Sequence, residues 1–241
     1  LEWGTPARLL EEMQQVSTLW SEAFEPDEIP ELRFTFCDAT INARPEQFEA
    51  LCALLAEAQW PSSYVAEGHI VLSGRITPRR VELALDAGFE SFFFGLETAS
   101  PKIRAFVKKP GTIESVAQSL EVLRDTRDGA LTVCVGVIVG FPGETEEQFG
   151  ETLRFLDWAV GLGVVGEIIV NPLVRDRASM DLGALVDSTG PAFGIHWRLP
   201  GPAGTPDERI RRVFRVMEHL DGVVQVSMGS LIEDDVMDML D

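Results

Sequence analysis

The stretch GVIVGFPGET, residues 136 to 145, decides how this chain is organised. An apolar, β-branched run enters glycine, proline and glycine and then opens an acidic segment, so the pattern predicts a strand, a tight turn and a helix. Glycine lets a ligand approach the backbone closely, and free amides at the start of a helix attract anionic groups. The stretch therefore predicts either a ligand-approach site or an ordinary strand-to-helix corner.

Strands and helices alternate on both sides of this turn. The predicted strands begin near residues 32, 64, 90, 131 and 165, and a short sixth covers 223–227. The predicted helices cover 5–20, 45–58, 77–87, 112–124, 144–160 and 206–220. This alternation is typical of an α/β protein with a parallel sheet and right-handed crossovers. The period fits either a (β/α) TIM-type barrel or an open doubly wound sheet.

Both architectures bind ligands at the carboxyl ends of the strands. Polar or glycine-rich residues occupy these ends: Cys37-Asp38, 67–69, 95–98, 140–142 and Asn171-Pro172. We therefore predict a ligand site at one rim of the sheet.

Single residues at this rim differ in how strongly they indicate function. Asp38 and Thr98 have an alternative as turn or helix N-cap residues. Glu97 ends the phenylalanine-rich strand FESFFFGLE, where a carboxylate requires a partner or a cavity. This position favours a functional role for Glu97.

Composition limits the class of protein. The chain has 241 residues, of which 45% are hydrophobic and 24% charged, and a formal net charge of −19. This charge opposes binding to nucleic acid or to an anionic membrane, and no apolar run is long enough to span a bilayer. We expect a globular, cytoplasmic protein that binds a small-molecule or peptide substrate.

The metal-ligating residues are dispersed. Cys37, Cys52 and Cys134 show no metal-binding spacing, and the three histidines are equally scattered. We expect reduced thiols and no metal ligands in this chain.

Three signatures follow one another along the chain: FTFCDATIN (34–42), FGLETASPKIRAFVKKPGTIESVAQSLEVLR (94–124) and VGVIVGFPGETEEQFGETLRFL (135–156). In this order they resemble the radical S-adenosylmethionine enzymes, especially the group with an upstream cobalamin-binding domain. The resemblance covers roughly residues 5 to 180. It implies a partial (β/α) barrel over 1–180 whose first strand is absent, and an extension over 181–241.

The resemblance also implies a cofactor site. Glu97 would contact S-adenosylmethionine from the family's fourth strand, and Lys109 would face a carboxylate or remain a solvated lysine at a helix end. Gly136, Ile138 and Gly140 would pass beside the cofactor, and the backbone after Val170 would flank its adenine. The full set of candidate cofactor-binding residues is Asp38, Glu97, Thr98, Lys109, Gly136, Ile138, Gly140, Phe141, Pro142 and Asn171.

Two departures from the family are local. Thr98 stands where the family more often has serine, and Arg104 stands at an apolar position. The larger departure is the absence of the CxxxCxxC loop that holds a 4Fe-4S cluster in the family. We expect the chain to begin just downstream of that loop, with the cluster ligands and any cobalamin domain upstream in the same parent protein.

The resemblance implies radical chemistry in the parent, with cobalamin-dependent methyl transfer as one form, and no catalytic competence for this chain alone. A degenerate binding module without a cluster is an alternative. An aldolase-type barrel is a third reading, but the three lysines (102, 108 and 109) all follow one strand and offer no Schiff-base candidate on another. We also expect Gly136 and Gly140 to face the same open rim as Glu97, with no side chain between these glycines and solvent or ligand.

Overall fold

A computed structural model describes residues 5–25, 27–37, 40–61, 63–70, 75–174 and 201–229. The chain divides into two compact units. The first unit comprises Leu1–Phe94 and Gln118–Val133, and the second comprises Gly95–Ala117 and Cys134–Asp241. The predicted domain boundary at residue 180 lies outside the described residues.

The described strands form one all-parallel sheet in the order β1-β2-β3-β4-β5-β6. The strands are β1 (Leu32–Phe36), β2 (Tyr64–His69), β3 (Phe89–Glu97), β4 (Thr132–Val139), β5 (Val165–Pro172) and β6 (Gln225–Met228). This order is the one that successive right-handed β-α-β crossovers produce in a (β/α) barrel. The α/β class and the partial barrel predicted from the sequence are confirmed, and β1 is an edge strand of the described sheet.

Seven α-helices and one 3₁₀ turn connect the described strands. The helices are α1 (Pro6–Glu22), α2 (Pro45–Glu57), α3 (Pro78–Asp86), α4 (Pro101–Phe106), α5 (Ile113–Asp125), α6 (Glu146–Gly161) and α7 (Pro206–Leu220), and the 3₁₀ turn covers Arg127–Gly129. The sequence predicted six of these helices and missed α4, which is too short for a periodic pattern to reveal. No helix among the described residues is long and apolar enough to cross a membrane.

Three helices begin at a Thr-Pro pair. The hydroxyls of Thr5, Thr77 and Thr205 each accept a hydrogen bond from a backbone N–H in the first turn. Proline then occupies the first helical position, where no N–H is needed. These starts are therefore determined locally.

Aromatic rings fill the core of the first unit. The ring of Phe89 packs against those of Phe36, Phe48 and Phe92, with centroids 5.2 to 5.9 Å apart. These contacts join β1, α2 and β3. From Phe92 to the end of β3, buried residues alternate with partly buried ones, and Gly95 and Glu97 belong to the second set.

Candidate functional site

Glu97 ends β3 in an uncommon backbone conformation. Its φ is +62°, and the N–H of Thr98 donates to the carbonyl of Leu96 over 2.8 Å, which closes a three-residue turn around Glu97. A non-glycine residue in this conformation costs about 1–3 kcal/mol, and such strain clusters at ligand-binding sites. The turn directs the Glu97 side chain to the face of the sheet that also carries Gly95.

Lys109 pairs with this carboxylate. Its Nζ donates to Glu97 Oε1 over 3.0 Å, and both side chains are about one quarter exposed. A methyl group on Gly95 would lie 2.5 Å from Glu97 Oε1 and 3.2 Å from Lys109 Nζ. Gly95 is therefore required for the pair to lie flat on the strand, and the pair keeps a solvent-accessible side.

The GFPG turn is held by a buried carboxylate. The N–H of Gly140, whose φ is +85°, donates to Glu144 Oε2 over 2.8 Å. The same oxygen accepts from Arg212 Nη1 over 2.7 Å, and both side chains are at most 1% exposed. Burial raises the pKa of the Glu144 carboxyl above its ordinary value, while the Gly140 amide and Arg212 act in the opposite direction.

The helix after this turn begins at Glu146, two residues later than the predicted start at 144. Thr145 is the N-cap, and its hydroxyl and the Gln148 side chain form a reciprocal capping box. Glu144 lies before the cap, and its carboxylate folds back to the turn.

The expectation of an open face at Gly140 is wrong. A methyl group on Gly140 would overlap the aliphatic carbons of Arg209, with Cδ at 2.7 Å. Arg209 is fully buried, and burial lowers the pKa of its guanidinium to about 10. The prediction failed because Arg209, which is distant in sequence, packs on Gly140. The space beside this glycine is filled by a side chain of the protein.

Sequence reasoning missed Arg209 and Arg212. Both lie on α7 at the spacing of one helical face, together with the buried Ile210, Val213 and Val216. Arginines within an apolar stripe are a detectable signal, since a charge on a buried face requires a partner.

Thr98 uses its hydroxyl inside the protein. The hydroxyl lies 3.1 Å from that of Thr152 on α6 and accepts from the N–H of Ser100 over 3.1 Å. Thr98 is fully buried. The cofactor contact of Thr98 stays a prediction, and its turn-capping alternative has direct support.

The remaining candidates lie near the ends of β4 and β5. Ile138 packs with Val107 against a buried apolar cluster of Ile103, Phe141 and Leu173. Gly136 is buried in β4, Pro142 is partly buried in the turn, and the Asn171 side chain lies against the backbone of Gly229. Asp38 lies outside the described residues. For all of these residues the cofactor contact stays a prediction.

The described cysteines do not fit a cluster. No group of three metal-ligating side chains occurs within the parts of the chain that the structure describes. Cys37 is exposed and Cys134 partly buried. Burial, followed by the Glu49 charge, raises the pKa of the Cys52 thiol to about 12.

The fold and site define an α/β protein with a parallel sheet and a charged pair, Glu97–Lys109, at the carboxyl end of β3. The model of the Radical SAM superfamily matches residues 21–156, more than half of the chain. The chain belongs to the radical SAM superfamily, whose members are enzymes that use S-adenosylmethionine and a 4Fe-4S cluster.

Sequence relatives include ribosomal protein uS12 methylthiotransferases RimO. The RimO of Xanthomonas oryzae pv. oryzae is 33% identical over 146 residues, which cover 57% of this chain and 28% of that protein. The RimO of Aromatoleum aromaticum is 40% identical over 82 residues, which cover 34% of this chain and 18% of that protein. The matches thus span under a third of the relatives' length.

Solved structures share the fold. The radical S-adenosylmethionine methyltransferase TsrM from Kitasatospora setae, with cobalamin and a [4Fe-4S] cluster bound, matches with a TM-score of 0.62 and 13% identity, over 93% of this chain and 48% of that chain. The coproporphyrinogen III oxidase HemN from Escherichia coli matches with a TM-score of 0.56 and 14% identity, over 90% and 46%.

Proposed function

We propose that this chain supplies the S-adenosylmethionine-binding part of a radical SAM enzyme. The observation that carries the proposal is the Glu97–Lys109 pair, which lies on a strained turn at the end of β3, next to β4 in the sheet. The 4Fe-4S cluster would be held by cysteines outside this chain, so the chain alone would be inactive.

The chemistry of the pair fits the cofactor. The Lys109 ammonium can bind a carboxylate, and the Glu97 carboxylate can accept from an amino group or ribose hydroxyls. Ile138 and Val107, which are only partly buried, offer the kind of apolar surface that receives an adenine ring. The bound cofactor would supply the radical chemistry, and this chain would orient it and exclude water.

Within this class we favour transfer of a one-carbon or methylthio group. The sequence relatives are methylthiotransferases, and the three signatures resemble enzymes that also bind cobalamin. A cobalamin spectrum in the longer parent protein would support methyl transfer, and its absence would favour the methylthio reaction. We further propose a cytoplasmic protein with no nucleic-acid or membrane partner, consistent with the net charge of −19.

Replacement of Lys109 by Met tests the cofactor site. We expect S-adenosylmethionine to bind at least about tenfold more weakly, because a charge-assisted contact to the ligand carboxylate is lost. Titration calorimetry on the purified chain measures the affinity.

Lys108→Met is the matched control, because Lys108 is exposed and adjacent and its replacement removes the same charge. Equal losses in both variants would point to general electrostatics and contradict the proposed contact. A degenerate binding module remains the second candidate, and a parent gene without a CxxxCxxC loop would favour it.

A further inference from the structure

The Arg104 guanidinium binds backbone carbonyls next to Glu97 and backbone carbonyls that follow Lys109. It lies on α4, and its side chain is buried, with 4% of the residue exposed. Nη1 donates to the carbonyls of Leu96 and Thr98 over 3.0 and 3.1 Å. These carbonyls flank Glu97 on both sides, so the guanidinium holds the strained turn that aims the carboxylate.

The other end of the same guanidinium holds the segment that follows Lys109. Nη2 donates to the carbonyls of Pro110 and Gly111 over 3.3 and 3.1 Å. The backbone carbonyl of Arg104 also accepts from the N–H of Lys109 over 2.9 Å. Arg104 therefore binds the backbone of Lys109 itself and of the two residues that follow it.

This arrangement is specific to arginine. Four carbonyl oxygens in two pairs match a planar fork with donors on two sides, whereas a lysine ammonium is a single point. Burial lowers the pKa of the Arg104 guanidinium from its ordinary value, and the nearby charges of Glu97 and Glu114 oppose this shift. The residue remains charged near neutral pH.

We propose that Arg104 is a positioning residue for the cofactor site, which sets the separation and orientation of the Glu97 carboxylate and the Lys109 ammonium. The proposal rests on the proposed function, since it assigns a role in binding S-adenosylmethionine. Arg104 acts through the pair and does not touch the ligand itself.

The first test is independent of the ligand. In Arg104→Met, we expect the Thr98 and Lys109 amides to exchange hydrogen at least about tenfold faster. The backbone bonds of these two amides remain possible, but the guanidinium no longer holds the carbonyls of the neighbouring residues, so both segments open more often. Lys102→Met is the control, because Lys102 lies exposed on the same helix and its replacement removes the same charge. Unchanged exchange at both amides in Arg104→Met would overturn the proposal.

The second test is a double-mutant cycle on S-adenosylmethionine affinity. Arg104→Met should weaken binding about tenfold in the wild-type background and by less than about twofold in Lys109→Met, because that background no longer contains a charged pair for Arg104 to position. Equal losses in the two backgrounds, or faster exchange with unchanged affinity, would show a structural role only and overturn the proposal.

Arg104→Lys covers the case in which Arg104→Met fails to fold. Its ammonium can hold one pair of carbonyls, so we expect accelerated exchange at only one of the two amides and partial loss of affinity. Wild-type behaviour of Arg104→Lys in both measurements would overturn the proposal. If the wild-type chain binds no S-adenosylmethionine, the proposed function is wrong. The hydrogen-exchange comparison would then still show whether Arg104 holds the backbone next to Glu97 and Lys109.

Discussion

Glycines in the GFPG turn have different roles even though their backbone conformations are similar. Gly140 and Gly143 both have positive φ, at +85° and +71°. Gly140 lies against the buried Arg209, whereas a methyl group on Gly143 would meet no atom within 4 Å. The motif therefore combines one glycine needed for conformation and packing with one needed for conformation alone.

Alanine substitutions separate these roles. Gly143→Ala should lower the free energy of unfolding by about 1 kcal/mol, because alanine resists positive φ. Gly140→Ala should cost about 1–3 kcal/mol more, since its methyl group overlaps Cγ and Cδ of Arg209, whose side chain is fully buried. Urea unfolding of the three proteins measures the difference. Equal losses in the two variants would show that Arg209 moves aside freely.

Helix α7 organises the turn through ion pairs. Arg212 binds Glu144 and Glu146, each over 2.7 Å, and Arg215 binds Glu146 over 2.8 Å. The Arg212 and Arg215 guanidinium carbons lie 5.1 and 4.6 Å from the Phe149 ring centroid. The helix thus secures both the turn, through Glu144, and the first turns of α6.

Loss of Arg212 should be costly. In Arg212→Met, the Glu144 carboxylate stays buried without its charged partner, so we expect a loss of about 3–5 kcal/mol in the free energy of unfolding. Arg211→Met is the control on the same helix. The Arg211 side chain is 71% exposed, so its pair with Glu208 should contribute less than about 1 kcal/mol. Thermal and urea unfolding that ranked the two variants equally would contradict the importance of the buried pair.

At the scale of the whole chain, the family and the cysteines have to be reconciled. The superfamily uses a 4Fe-4S cluster, yet Cys37, Cys52 and Cys134 are dispersed in sequence, and the described residues contain no three-ligand group. Cluster ligation requires closely grouped thiolates. This supports our proposal that the chain provides cofactor contacts and that other residues provide the iron ligands.

Iron content tests this division. After anaerobic reconstitution with iron and sulfide, the purified chain should retain far less than one cluster and show no cluster absorption in the visible range. Cys37→Ser should behave identically, because the exposed Cys37 has no partner thiols in its sequence neighbourhood. A stoichiometric cluster that is lost in Cys37→Ser would show that this chain assembles its own site.

The sequence by itself determined the order of the strands and of six of the seven described α-helices, the family, and Glu97 as a candidate. These features depend on short-range patterns: alternation of apolar residues, Thr-Pro caps and glycine-containing turns, all of which act within a few residues. The Glu97–Lys109 pair spans 12 positions, and its geometry follows from one turn and one short helix.

Only the tertiary structure decided what occupies the GFPG turn. Glu144 and Arg212 are 68 positions apart, and Arg209 reaches Gly140 from the same distant helix. Local pattern cannot place such a pair, because the partner of a buried charge depends on which helix the fold packs over that strand end. The same holds for Arg104, whose helix is too short to leave a periodic signal and whose donors bind backbone carbonyls of no particular residue type.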